Sequence, residues 1–116
     1  MKKRTLDETL DYREKVFKRR MNIRAAKCHD YADITDVLAN FERVSLICNL
    51  LDIDVRNPIG YCLLMVVLKL DRICNLVFRQ KEKPKNESVQ DSFIDMANYV
   101  DLAEEIALAL GVIEDT

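Results

Sequence analysis

The chain has 116 residues, a length that suggests one domain, 1–116, with a modest hydrophobic core. Hydrophobic residues make up 49% of it and the formal net charge is −2, which excludes a disordered chain and a general polyanion binder. There are only two glycines and two prolines, a composition that favours long helices. Helical periodicity recurs along the chain, and we therefore expect an all-α fold.

The first predicted helix begins at a capping box, Thr5-x-x-Glu8, and ends near Cys28. Its apolar stripe consists of Leu6, Leu10, Phe17 and Met21. The opposite face carries Arg13, Glu14, Lys15, Lys18, Arg19 and Arg20, and the basic residues among them form a basic stretch together with Arg24. Because acidic residues at 7, 8, 11 and 14 lie close by, we expect this stretch to be a solvated helix face, with contact to a nucleic-acid backbone as the alternative.

A short polar link follows, and Asp33 or one of its neighbours is the predicted N-cap of a second helix that runs to Leu51. Asp30 and Tyr31 in this link are candidate ligand-binding residues. His29 beside Asp30 is a candidate general base. A single histidine at a helix end more often caps the helix or lies on the surface.

The third helix starts at the cap Asn57-Pro58 and runs to about Phe78. It is apolar nearly all round, which is typical of a central helix or of one buried by a second copy, so the chain is a candidate homodimer. Lys69, Arg72 and the aspartate between them lie near its centre. Charges at that depth argue against a membrane span, and we expect no membrane partner.

The fourth helix begins at a capping box, Ser88-x-x-Asp91, and stops at Gly111. Four helices joined by short links predict a compact four-helix bundle. The four cysteines show no metal-binding spacing and lie in apolar surroundings, which predicts reduced thiols in a cytoplasmic protein.

Two polar groups in the apolar half of the chain are the candidate site. Lys69 and Arg72 are three residues apart and share a helix face. Asp91, Asp95 and Asn98 share a face of the fourth helix. Two carboxylates one turn apart can hold Mg²⁺, and a basic pair can neutralise phosphate oxygens. The alternative is a buried ion network in which Asp91 caps its own helix.

Two tyrosines lie beside these polar groups. Tyr31 and Tyr99 are candidates to stack on a base or to donate a hydroxyl to a carboxylate. Tyrosines at helical spacing more often belong to the core, so this interpretation also has a structural alternative.

Several short patterns in the chain resemble a known family when they are taken together. They are Asp30-Tyr31-Ala32-Asp33, Asn40-Phe41-x-Arg43-Val44, Leu68-Lys69-x-x-Arg72 and Glu87-Ser88-x-x-Asp91-x-x-x-Asp95-x-x-Asn98-Tyr99. The chain resembles small helical domains of phages and prophages, some labelled nucleotide-modification-associated. It is distantly similar to the MazG-like all-α nucleoside triphosphate pyrophosphohydrolases. The resemblance implies an all-α fold, a phage origin, action in a bacterial cytoplasm and a nucleotide-related role.

The pyrophosphohydrolases bind Mg²⁺ through an ExxE pattern followed by an ExxD pattern. This chain departs from both, since Glu42 stands alone on the second helix and Asp91 and Asp95 are four residues apart. We therefore expect a protein that binds a nucleotide or related phosphate compound, with Mg²⁺-dependent pyrophosphate release as the enzymatic version. The alternative is a non-enzymatic phage protein that binds a host enzyme or defence factor.

Within the leading expectation each candidate residue has a role. Lys69 and Arg72 hold the phosphates, and Asp91 and Asp95 hold Mg²⁺ or orient the basic pair. The residues expected to line the same site are Asp30, Tyr31, Asn98 and Tyr99.

Overall fold

The computed structural model of the chain describes residues 1–32, 35–80, 83–84 and 88–115. Within these residues the chain forms four α-helices and no β-strand. The helices are α1 (Leu6–Tyr31), α2 (Ala39–Leu50), α3 (Pro58–Cys74) and α4 (Val89–Ala109), and a π-helical segment, Asn75–Gln80, continues α3. The predicted all-α fold class is confirmed.

Helix α3 is the centre of the molecule, as its all-round apolar sequence predicted. It packs along α4 on one side and against α2 on another, and it buries Cys62, Val67 and Ile73. The facing side of α4 buries small residues, Ala103 and Ala107, which let the two helices approach closely. No helix within the described residues is long and apolar enough to cross a membrane.

The start of α3 depends on a cap and on a close backbone contact. The Asn57 side chain accepts a hydrogen bond of 2.9 Å from the Ile59 N–H, and Pro58 occupies the first turn. The preceding loop then folds back onto Gly60, where a Cβ atom would lie 1.9 Å from the Asp54 carbonyl oxygen. Only glycine leaves room for this approach.

Helix α1 differs from the prediction of a compact bundle. Residues 1–25 are exposed except for Val16, which is half-buried, and only the C-terminal end of α1 meets α3 and the π-helical segment. The radius of gyration is 18.8 Å, whereas a compact domain of this length has a value of about 13 Å. The predicted compactness is therefore wrong for α1, because no other described element packs against the N-terminal part of this helix.

Two helix boundaries also differ from the sequence-based expectation. Helix α1 continues to Tyr31, three residues further than predicted, and α2 begins only at Ala39. The Asp36 carboxylate accepts the Leu38 N–H at 3.3 Å and holds a turn before α2, a use of aspartate that competes with helix. The predicted N-cap, Asp33, lies outside the described residues.

Both predicted ends of α4 are confirmed. Ser88 and Asp91 form the reciprocal capping box. The Ser88 hydroxyl accepts the Asp91 N–H at 3.1 Å, and the Asp91 carboxylate accepts the Ser88 N–H at 3.2 Å. Gly111 has a φ of 74° just beyond the helix. The Val112 N–H then bonds back to the Ala107 carbonyl at 2.9 Å, which is the expected closure of a glycine-terminated helix.

Candidate functional site

Arg72 is the centre of a buried cluster at the junction of α1, α3 and α4. Its side chain has no exposed surface, and its Nη2 lies 2.5 Å from Oδ2 of Asp30, which is also fully buried. Its Nη1 donates to the Ser92 hydroxyl and, at 3.1 Å, to the Ser88 carbonyl oxygen. The guanidinium carbon lies 5.8 Å from the centroid of the Tyr31 ring. One side chain of α3 therefore ties α1 to the first turn of α4.

A second ion pair lies one helical turn away and is less enclosed. Lys69 Nζ is 3.1 Å from Asp95 Oδ2 and 3.5 Å from the Tyr31 hydroxyl. The Asp95 side chain is 39% exposed, whereas that of Lys69 is 11% exposed. The Lys69 side chain is therefore largely shielded from solvent, and Asp95 is the solvent-exposed member of the pair. We call the group Asp30, Tyr31, Lys69, Arg72, Ser92 and Asp95 the ion cluster.

The ion cluster contains five of the eight residues predicted to bind the ligand or the metal, namely Asp30, Tyr31, Lys69, Arg72 and Asp95. The direction of the contacts, from position 72 to 92 and from 69 to 95, makes α3 and α4 antiparallel. The other three residues lie apart from these contacts. Asp91 caps α4, Asn98 is exposed and Tyr99 is half-buried.

A second buried carboxylate, Asp71, was not part of the predicted site. Arg43 grips it with two hydrogen bonds, of 2.7 Å to Oδ1 and 3.2 Å to Oδ2, and Arg79 adds a third of 3.1 Å to Oδ1. Arg43 also donates to the Tyr31 carbonyl oxygen at 3.0 Å. The sequence already indicated that Asp71 needs a charged partner, since it stands between Lys69 and Arg72 in the same apolar helix.

The end of α1 is closed by amide side chains of the π-helical segment. Asn75 Nδ2 lies 3.1, 2.8 and 3.2 Å from the carbonyl oxygens of His29, Asp30 and Ala32. Gln80 Nε2 lies 2.9 Å from the Ala32 carbonyl. The last carbonyls of a helix have no partner within the helix, so these donors satisfy groups that would otherwise need water. This closure carries α1 beyond its predicted end.

His29, the candidate general base, is part of the same closure. Its Nε2 lies 2.9 Å from the Lys83 carbonyl oxygen. A carbonyl oxygen only accepts, so Nε2 carries a proton and donates it there. This contact joins the histidine to the segment before α4, and its role as a general base stays a prediction.

The two proposed metal ligands already have other partners. Asp91 accepts the Ser88 N–H at its own helix start, and Asp95 pairs with Lys69. Among the described residues, no group of three or more histidine, cysteine, aspartate or glutamate side chains is arranged to hold a metal ion. This arrangement does not fit Mg²⁺ without rearrangement. Magnesium binding therefore stays a prediction.

An open cleft of about 630 Å³ lies beside the ion cluster, between the C-terminal half of α1, the start of α2 and the middle of α3. We call it the basic cleft. Its cations are Arg20, Arg24 and Lys27. Its apolar and aromatic lining comes from Ile23, Tyr31, Val37, Leu38, Phe41 and Leu68. Tyr31 belongs to both the cleft and the ion cluster, and it is the one predicted site residue that lines this cavity.

The cations of the basic cleft differ from those of the ion cluster in their electrostatic state. Within the described part of the chain, Arg20, Arg24 and Lys27 form no ion pair with a carboxylate. All three are exposed. The cleft thus offers positive charge at the border of an apolar cavity, a combination that suits an anion carrying an apolar or aromatic part.

Comparisons with known proteins add no relative to this description. No family model, no curated protein and no solved structure matches the chain.

Proposed function

We propose that the chain is a small phage-type protein that binds a nucleotide or a related phosphate compound in the basic cleft. The observation that carries this proposal is the position of Arg20, Arg24 and Lys27 beside a cavity of about 630 Å³. Ligand cavities typically measure about 300–1,000 Å³ and combine apolar walls with a few polar groups. Guanidinium groups bind phosphate oxygens through two parallel hydrogen bonds.

The proposed ligand has its phosphates at the α1 cations and its base between the aromatic side chains. Tyr31 and Phe41 both line the cleft and offer ring faces on which a base can stack. This placement changes the role expected of Arg72. Because Arg72 is fully buried and engaged by Asp30, it supports Tyr31 instead of contacting phosphate.

Lys69 keeps an indirect role in this proposal. Its ammonium group lies 3.5 Å from the Tyr31 hydroxyl and 3.1 Å from Asp95. The Lys69–Asp95 pair therefore orients the Tyr31 side chain without lining the cleft itself. Pyrophosphate release from a nucleoside triphosphate is not part of the proposal. Asp91 and Asp95, the expected metal ligands, serve a helix cap and an ion pair in this arrangement.

Calorimetric titration tests the binding proposal. Nucleoside mono-, di- and triphosphates and inorganic pyrophosphate are titrated into the protein with and without Mg²⁺. We expect saturable binding of at least one nucleotide, and a loss of about tenfold or more in affinity in the double variant Arg20→Gln/Arg24→Gln, since two phosphate contacts are removed. Release of pyrophosphate is measured in the same samples, and none is expected.

A matched control comes from the same helix. Arg13→Gln/Arg19→Gln removes the same charge from α1 outside the cleft and is expected to leave affinity within about twofold. Absence of heat for every nucleotide, in protein shown to be folded by circular dichroism, contradicts the proposal. Equal losses in the two double variants would mean that only the overall charge of α1 attracts the ligand.

A second candidate function is that of a non-enzymatic phage protein that binds a host enzyme or defence factor. The observation that favours it is the exposed apolar surface of α2, where Phe41, Leu46 and Leu50 are 64%, 60% and 74% exposed. Affinity capture from a bacterial lysate tests it with Leu46→Glu/Leu50→Glu as the comparison. A stoichiometric partner that is captured by the native chain but not by this variant supports the interaction function.

We further propose that the chain acts in the bacterial cytoplasm as a homodimer. Its support is the amount of apolar surface that one copy leaves exposed, on α1 as well as on α2. Sedimentation velocity across a range of protein concentrations tests this point, and a single monomeric species throughout would contradict it.

A further inference from the structure

We propose that two copies of the chain associate by antiparallel pairing of their α1 helices about a twofold axis between residues 13 and 14. The inference deepens the proposed homodimer by assigning its interface, and it is independent of any ligand in the basic cleft. It starts from an apolar stripe that no other part of the described chain covers. Leu6, Leu10, Phe17 and Met21 are 71%, 57%, 55% and 37% exposed.

The spacing of this stripe is the same when read from either end. Leu6, Leu10, Phe17 and Met21 are separated by four, seven and four residues, so the pattern is symmetric about the point between residues 13 and 14. All four positions fall on one face at 3.6 residues per turn. In an antiparallel pair centred there, Leu6 meets Met21 of the second copy and Leu10 meets Phe17 of the second copy. A twofold interface requires this kind of self-complementary surface.

The charges of α1 select the antiparallel orientation. Residues 7–14 contain four acidic side chains and one arginine, whereas residues 15–27 contain six basic side chains and no acidic one. Parallel pairing sets like halves against each other, and antiparallel pairing sets the acidic half beside the basic half. Asp7 and Lys18 are eleven residues, about three turns, apart and so follow the same flank of the stripe. Each therefore faces the other across the pair.

The intramolecular contacts of α1 leave this face open. The Arg13 guanidinium lies 5.6 Å from the centroid of the Tyr12 ring, and Tyr12 is off the stripe. This contact holds the Arg13 side chain away from the proposed twofold axis, where Arg13 of the second copy would lie. The pair between Lys18 and Glu14 measures 3.6 Å, and both side chains are about two-thirds or more exposed. Such exposed pairs are weak, and Lys18 can exchange partners at little cost.

Sedimentation velocity of charged stripe variants tests the surface. Leu10→Glu/Phe17→Glu is expected to give a monomer at concentrations where the native chain is a dimer, a rise of about tenfold or more in the dissociation constant. The matched control Leu50→Glu/Phe78→Glu changes two apolar residues on other elements that are more exposed than Leu10 and Phe17, and it is expected to stay dimeric. Circular dichroism confirms that each variant is folded.

Cysteine cross-linking tests the orientation. A mixture of Leu6→Cys chains and Met21→Cys chains is expected to form the mixed disulfide, identified by mass spectrometry, in excess over either self-linked product. Parallel pairing predicts the reverse, self-linked Leu6→Cys chains. Charge reversal adds a third measurement, because Asp7→Lys and Lys18→Glu should each weaken the dimer and should restore it when combined.

The outcomes separate this interface from dimerisation in general. A chain that is monomeric at every concentration overturns both the homodimer and its interface. A dimer that survives Leu10→Glu/Phe17→Glu, or that links only in the parallel sense, overturns the α1 interface alone. The α1 interface is also overturned if the control Leu50→Glu/Phe78→Glu loses the dimer while Leu10→Glu/Phe17→Glu keeps it.

Discussion

The two ends of α1 show opposite relations between polarity and burial. At its C-terminal end Asp30, a charged residue, has no exposed surface, whereas near its N-terminal end Leu6 is 71% exposed. Asp30 is buried because Arg72 and the amide groups of the π-helical segment surround it. Leu6 is exposed because no other described element reaches that part of the helix. Burial in this helix therefore follows the available partners more than the hydrophobicity of each side chain.

The largest expected effect comes from breaking the buried pair at the C-terminal end of α1. Asp30→Asn removes the negative charge and leaves Arg72 charged and buried, which costs about 3–5 kcal/mol of unfolding free energy. Urea denaturation measures the loss. The matched control Asp54→Asn removes a carboxylate from an exposed pair with Arg56 and should change stability far less. A small effect of Asp30→Asn would mean that water or another group reaches Arg72.

A smaller loss is expected when the closure of α1 is removed. Asn75→Ala takes away the amide that lies within hydrogen-bond distance of three carbonyl oxygens and should cost about 1–3 kcal/mol. Hydrogen exchange should locate the effect in the last two turns of α1. If the protection of those amides is unchanged in the variant, Gln80 and Arg43 suffice to hold the helix end.

Breaking the partly exposed pair between Lys69 and Asp95 should lower the free energy of unfolding by a still smaller amount. Asp95→Asn is expected to cost about 1 kcal/mol or less, because the aspartate is 39% exposed and solvent weakens its attraction to Lys69. If nucleotides bind in the basic cleft, the same variant should weaken binding only slightly, through the Tyr31 hydroxyl. A complete loss of activity towards a nucleoside triphosphate without loss of stability would instead favour the metal-dependent enzyme.

The smallest effect is expected at the exposed part of α1. Lys15→Gln breaks a pair with Asp11 that is 3.1 Å long, but the two side chains are 74% and 64% exposed. The change in unfolding free energy should stay within about 0.5 kcal/mol. A larger loss, seen only at concentrations where the chain is dimeric, would show that this part of α1 is buried between two copies.

Much of the local structure was predictable from short patterns. The Thr5 cap of α1, the Asn57-Pro58 start of α3 and the Ser88 capping box of α4 all lie where the sequence indicated. These features depend on residues within one turn of each other, so distant parts of the chain have little influence on them. The start of α2 was wrong because the Asp36 side chain stabilises a competing turn.

Most members of the ion cluster were predictable from the sequence, but Ser92 and the connections within the cluster were not. Charged residues in apolar helices need partners, which pointed to Lys69, Arg72 and Asp95. Nothing local indicated that Arg72 would pair with Asp30, 42 residues away in the chain, or that Arg43 would grip Asp71. The basic cleft was missed for the same reason, since α1, α2 and α3 create it only by packing together.

Sequence alone thus determined the helical class, the number of helices and most of their ends, because these follow from the spacing of apolar residues and from caps that act over one turn. Tertiary structure decided which charges are neutralised inside the protein, where a ligand-sized cavity opens and which apolar stripe stays exposed. Those outcomes depend on contacts between residues far apart in the chain. In such contacts, desolvation and pairing are settled by the neighbours that packing brings together.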